Sequence, residues 1–418
     1  MTAGALLGLA LPLAPTSAPP ASAAPGSPCA EVSADDPGEP STDPSAPLAE
    51  LQIPDAHRRV AELSGRAPGE GVAVAVVGAG IRGQAGIPST ATRRIAPFSR
   101  TGEVVSFETT AVAGLIAGAR RQGQVVGVAP DAAILDVRVY DTEVDRNDDL
   151  ATPTAAGVAA GLRSIVGMVG PRGVRVVVVP VQISGSRELG RAVRAVTAAG
   201  ALVVVPSGDR AVLGAEYLPG EDAGTDVFPA AYSTANRRVI AVSTSVSDDV
   251  NAADVVVMSS AIDVAAPSAG AVSYGLAGRT CLLPLPSTVA ASGVVAGVIA
   301  LLWTVFPTET PDQIATRLIR TATGSSSSGG VTADRLVGHG VVQPLEALTR
   351  TLRPRRAVDA PEAPPQRDAT PVALPEVEPD RLRSIRENAV WWGLVGGGVL
   401  VTAVVVRPVF ARRRSSGD

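Results

Sequence analysis

Between residues 65 and 350, short β-branched runs alternate with longer alanine-rich segments, and this alternation narrows the fold more than any other feature. The runs at 71–77, 133–139, 174–181, 201–205 and 238–242 are apolar almost without a break. Strands of that kind are buried on both faces, as in a parallel sheet covered by helices. Helical patterns at 111–121, 152–169, 188–199 and 289–305 supply the cover. The expected fold is therefore α/β, with a mainly parallel sheet as the middle of three layers. Such sheets place their sites at the carboxyl ends of the strands. That points to Gly78, the loop before Ala111, and residues 206–209.

The two ends of the chain are different material. Residues 5–13 form a short apolar run, followed by Pro- and Ala-rich sequence with the small-residue pattern Ala21-Ser22-Ala23. Residues 1–24 read as a secretory signal peptide, although no positive segment leads it, which points to a start further upstream. Residues 25–64 read as an extended N-terminal arm, because 25–47 is rich in Pro, Ser and acids without apolar periodicity. Residues 351–388 read as a Pro-rich, semi-rigid linker. Residues 389–406 carry no charge and begin near Trp391 and Trp392. As a helix they would span about 27 Å, the thickness of a bilayer's hydrocarbon core. Arg407 and the arginines at 412–414 suit a cytoplasmic tail over 407–418, whereas Arg381, Arg383 and Arg386 run against the charge rule. With an exported body, the expectation is a single-pass protein of the cell membrane, extracytoplasmic except for its C-terminus.

Net charge is −4, which argues against a nucleic-acid partner. Two histidines and two cysteines in 418 residues are too few for most metal sites, and none is expected. One motif invites a cofactor: Gly78-Ala79-Gly80-Ile81-Arg82-Gly83 matches G-x-G-x-x-G directly after a strand, with Glu103 as a ribose acid. The motif works only where a helix opens at once and offers its N-terminus to pyrophosphate. Gly86 and Pro88 follow instead, so no cofactor is expected.

Several segments have a shared order that resembles the subtilases. Residues 71–77 look like the strand that delivers the family's catalytic Asp, and residues 110–117 like the helix after its catalytic His. Residues 127–132 (GVAPDA) and 263–267 (DVAAP) are similar to two further family segments. Phe306-Pro307, residues 313–323 and residues 338–349 resemble the C-terminal helix and ending of the mycosins, the membrane-anchored subtilases of actinobacterial type VII secretion. The resemblance implies a subtilisin-like fold over about 65–350 and a place beside the type VII secretion membrane complex.

Carried over position by position, the resemblance also implies that the chemistry is lost. The catalytic Asp falls on Gly78, the His on Glu108, the oxyanion Asn on Asp209 and the Ser on Val289. A serine protease needs a base beside its hydroxyl, held in the right tautomer by a carboxylate. His57, before the first strand, and His339, in a glycine-flanked turn, read as surface or cap residues instead. An ionised Asp209 would repel an oxyanion, and losing one oxyanion donor alone costs about 3–4 kcal/mol. The expectation is a pseudoprotease with a structural or peptide-binding role, or one that pairs with an active paralogue.

An active alternative stays open. Glu at the His position and Asp at the oxyanion position resembles the serine-carboxyl peptidases (sedolisins), where a protonated Asp donates to the oxyanion and Glu is the base. Their second acid would fall on Val112, and Ser287 or Ser292 would have to replace the nucleophile. Cys29 and Cys281 are expected to pair in an exported protein, the alternatives being free thiols or an intermolecular bridge.

Overall fold

A computed structural model describes residues 26–352, apart from 84–85, 122, 145–148, 172, 214–216, 219 and 325–332. The expected signal peptide, the transmembrane segment 389–406, the tail 407–418 and all but the first two linker residues lie outside the described residues. In chain order come α1 (Ala46–Glu50), α2 (Ile53–Ser64), β1 (Ala73–Gly78), β2 (Ser89–Arg94), α3 (Glu108–Ala117), β3 (Ala133–Arg138), α4 (Ala155–Ile165), β4 (Val174–Val178) and α5 (Arg187–Ala199). There follow β5 (Leu202–Pro206), α6 (Arg210–Leu213), β6 (Val239–Ser245), α7 (Ala252–Val255), β7 (Val264–Pro267), β8 (Ala271–Tyr274) and β9 (Thr280–Leu283). Helices α8 (Thr288–Val305), α9 (Pro311–Thr321) and α10 (Pro344–Thr349) complete the series.

Seven strands form one parallel sheet in the order β2-β3-β1-β4-β5-β6-β7, while β8 and β9 make a separate antiparallel hairpin. Side chains alternate across the sheet. Val74 and Val76 pack into the layer built on α8, and Ala75 and Val77 into the layer of α4 and α5. Neither face of these strands is left to water, which is why their runs are continuously apolar. The strand order reverses at β1 and β4, and a crevice opens outside the carboxyl ends of strands at such a point.

Helix α8 is apolar all round because it is buried all round. Gly297 meets Val128 so closely that a Cβ would sit 2.5 Å from that side chain. The helix is also long and apolar enough to cross a bilayer, but 89% of it is buried within the domain, so it is the core helix.

The extended arm expected over 25–64 is only half correct. Residues 46–64 hold α1 and α2, and α2 buries Ile53, Ala56, His57 and Val60 on one face, at i, i+3, i+4 and i+7 spacing. His57 is accordingly a buried residue rather than a surface one. Its Nε2 lies 2.7 Å from the Val128 carbonyl oxygen and its Nδ1 2.9 Å from an Arg120 guanidinium nitrogen. Burial and that cation lower its pKa to about 4. The ring is therefore neutral, donating from Nε2 and accepting at Nδ1.

Earlier in the arm the chain runs beside β9. The Cys29 N–H donates to the Leu282 carbonyl at 2.8 Å, the Leu282 N–H to the Ser27 carbonyl at 3.0 Å, and a Cys29–Cys281 disulfide fixes the crossing. The bridge closes a loop of 252 residues, so it removes much chain entropy from the unfolded state. Replacing both cysteines by serine should destabilise the domain by about 3–5 kcal/mol, read as a lower melting temperature under non-reducing conditions.

Candidate functional site

The crevice at the reversal point gathers Gly78, Glu108 and Asp209, with the N-terminus of α8 beside them. Gly78 ends β1, and a Cβ there would meet the Thr109 Oγ1 at 2.3 Å. That hydroxyl takes the Ala79 N–H at 2.8 Å. The space beside Gly78 is thus filled by the first turn of α3. A larger residue at Gly78 would have to displace buried Thr109.

Glu108 opens α3, half-buried, and its carboxyl hydrogen-bonds that of Glu143 in the loop after β3. Glu143 also accepts the Ser106 hydroxyl at 2.6 Å and the Tyr140 hydroxyl at 3.1 Å. With Glu143 already the acceptor for two hydroxyls, the shared proton resides on Glu108. Burial, then the Glu143 charge, and more weakly Asp209, raise the Glu108 pKa to about 8. Two neighbouring carboxyls cannot both ionise cheaply. The carboxyl beside Glu108 belongs to Glu143, while Val112, where the sedolisin resemblance puts a second acid, is a core residue. Nothing in the spacing marks Glu143, because the contact joins a helix start to a loop 35 residues on (108 to 143).

Asp209 sits buried after β5. Its Oδ2 accepts the Ser287 hydroxyl at 2.8 Å and its Oδ1 the Thr288 N–H at 2.6 Å. Burial raises its pKa, and the hydrogen bonds from Thr288 and Ser287 oppose that rise. Both oxygens therefore work as acceptors at the N-terminus of α8, where the helix dipole favours a negative charge. The Asp209 N–H is itself taken by the Gln182 Oε1 at 3.1 Å. The backbone N–H of this position is therefore already engaged.

The candidate nucleophiles divide sharply. Val289 carries no hydroxyl, and its N–H donates to the Ser287 Oγ at 3.1 Å. Ser292 is fully buried inside α8 and donates to the Val289 carbonyl at 2.6 Å. Ser287 is the N-cap of α8, donor to Asp209 and acceptor from Val289. The carboxyl it bonds is that of Asp209 rather than Glu108. His339 stands apart, its Nδ1 2.9 Å from the Asp263 carbonyl oxygen.

The glycine motif after β1 does not cradle phosphate. The N–H groups of Ala79, Ile81 and Arg82 donate to Thr109, Asp136 and Thr110, so the donors a pyrophosphate would need are already engaged. No helix opens there, and Glu103 lies exposed with its carbonyl accepting from Arg138. Among the described residues, no group of three or more His, Cys, Asp or Glu could hold a metal ion.

The shared proton gives a pH signature. The folded-state pKa of Glu108 stands above its unfolded value near 4.5, so its contribution to stability is complete below that value. The contribution is lost as pH rises towards 8. At about 1.4 kcal/mol per pKa unit, discounted for solvent at a half-buried side chain, the loss is on the order of 2 kcal/mol. Glu108→Gln should therefore gain stability relative to the parent chain as pH rises from 5 to 8, measured by denaturant unfolding at each pH.

Comparison with known proteins gives a consistent set of matches. Residues 109–340 match the model of the subtilase family. Mycosin-1 of Mycobacterium tuberculosis (strain ATCC 25618 / H37Rv) is 30% identical over 387 residues, covering 82% of this chain and 81% of the relative. The structure of the MycP3 protease from the type VII (ESX-3) secretion system superposes with a TM-score of 0.59 at 23% identity, over 81% of this chain and 99% of that one. A chain of an intact ESX-5 inner membrane complex superposes with a TM-score of 0.57 at 21% identity, over 86% and 90%. At those identities the two structures establish a common fold.

Proposed function

The chain belongs to the mycosin-like subtilases, and from that premise we propose that it is a pseudoprotease whose scaffold serves a type VII secretion complex. The observation that carries this reading is the occupation of the catalytic positions by structural contacts. Gly78 is closed off by Thr109, Asp209 and Ser287 are committed to the start of α8, and Val289 has no hydroxyl. A peptide carbonyl entering this crevice would meet neither an activated nucleophile nor an oxyanion donor.

The partner follows from kinship. One structural relative is a component of an ESX-5 inner membrane complex, and we place this chain beside the corresponding membrane complex of its own cell. The body lies on the extracytoplasmic side, held by a single-pass anchor at 389–406 after removal of residues 1–24. The Cys29–Cys281 bridge supports this placement, since disulfides persist outside the reducing cytoplasm. Deleting 389–406 should release the protein from membranes and abolish its function, whereas Glu108→Gln leaves that function intact.

A second reading has one observation in its favour. The Glu108–Glu143 pair holds a proton at neutral pH, as an acid peptidase's dyad would, and Ser287 bonds a carboxylate. Fluorophosphonate labelling and peptide-library digestion from acid to neutral pH separate the two. The pseudoprotease reading predicts no labelled serine and no cleavage at any pH. Labelling of Ser287, with cleavage abolished by Glu108→Gln, would establish the acid peptidase.

A further inference from the structure

Helix α5 carries a second concave site, on the opposite face of the sheet from α8. Its apolar side, with Leu189, Val193 and Val196, is buried in the sheet layer, and its outer side presents Arg187, Arg191 and Arg194. The spacing i, i+4, i+7 puts the three guanidinium groups in one row. Beside the row runs a shallow groove of about 420 Å³, floored by Phe228 and Tyr232. The two rings stand 4.9 Å apart between centroids.

Two glycines make room for that floor. A Cβ at Gly185 would meet the Phe228 ring at 2.5 Å, and one at Gly190 would press the Tyr232 ring at 3.3 Å. The Tyr232 hydroxyl is tied to the Ser186 carbonyl at 2.9 Å, so the ring lies flat against the start of the helix. The arginines, by contrast, are exposed, and no recorded ion pair among the described residues engages them. The acid on the same turn, Glu188, is drawn to Arg163 at 2.7 Å. Arg187 even stands in the first helical turn, where the helix dipole disfavours a cation. In a chain of net charge −4, this is a row of like charges beside aromatic rings without a counter-charge.

We propose that the α5 groove is a docking site for an acidic polypeptide segment, its carboxylates on Arg187, Arg191 and Arg194 and its apolar side chains on Phe228 and Tyr232. Guanidinium forks match carboxylates in geometry as well as charge. The row extends about 10 Å along the helix instead of converging on one point. That shape suits an extended chain, in which residues two apart stand about 6–7 Å from one another on the same side. A phosphate headgroup would call for guanidinium groups aimed at a single centre. The site shares no residue with the crevice at β1 and β4, so it stands or falls independently of the pseudoprotease reading.

The test uses the full chain in detergent and a short dye-labelled peptide of alternating Glu and Leu, followed by fluorescence anisotropy. Binding should weaken as salt is raised, and a Gln–Leu copy should not bind. The triple change Arg187→Ala, Arg191→Ala, Arg194→Ala should weaken binding about tenfold or more without moving the melting temperature, because all three side chains are exposed. Arg191→Glu should shift preference towards a Lys–Leu peptide, a gain that misfolding cannot mimic. Equal affinity of the triple variant for the Glu–Leu peptide would overturn the proposal. So would arginine-dependent binding to phosphatidylglycerol vesicles with none to the peptide, which would assign the row to lipid.

Discussion

The N-terminus of α8 is held by the buried carboxyl of Asp209. This helix is the centre of one layer, packed on β4, β5, β6 and α3, and its first N–H groups point into the crevice at the carboxyl edge of the sheet. A buried carboxylate is costly unless hydrogen-bonded. Here the Ser287 hydroxyl and the Thr288 N–H satisfy one oxygen each, and the helix dipole adds to them. The same contacts engage the half-exposed Ser287 hydroxyl at the start of α8. On the reading proposed above, what stabilises the core also closes off the chemistry.

Gly78 and Thr109 repeat this logic on the neighbouring strand. With no side chain on Gly78, α3 comes close enough for Thr109 to cap Ala79, which leaves no room for a side chain there. Glu108 is then left facing Glu143 and shares a proton with it. The substitutions are coupled through packing.

Much of this was legible in the residues. The apolar runs at 71–77, 133–139, 174–181, 201–205 and 238–242 became β1, β3, β4, β5 and β6, because strands covered on both faces show no polar alternation. The rule about carboxyl edges pointed to Gly78, the loop before Ala111 and residues 206–209, and the subtilase resemblance singled out Glu108 and Asp209 within them. Helix α2 was hidden by the Pro- and acid-rich sequence in front of it, although Ile53, Ala56 and Val60 have helical spacing. Edge strand β2, reading Ser-Thr-Ala-Thr-Arg-Arg, has no apolar run to announce it. Glu143 escaped for a different reason: two acids meet there only because β1 and β3 are neighbours in the sheet, a fact of topology rather than of local spacing.

The most direct measurement is the unfolding free energy of Asp209→Ala against the parent chain at neutral pH. If this carboxylate now serves the helix, its loss strands the Ser287 hydroxyl and the Thr288 N–H and should cost about 1–3 kcal/mol. A residue retained for catalysis is commonly held at the expense of stability. A variant as stable as the parent, or more stable, would contradict the view that the crevice has been converted from chemistry to architecture.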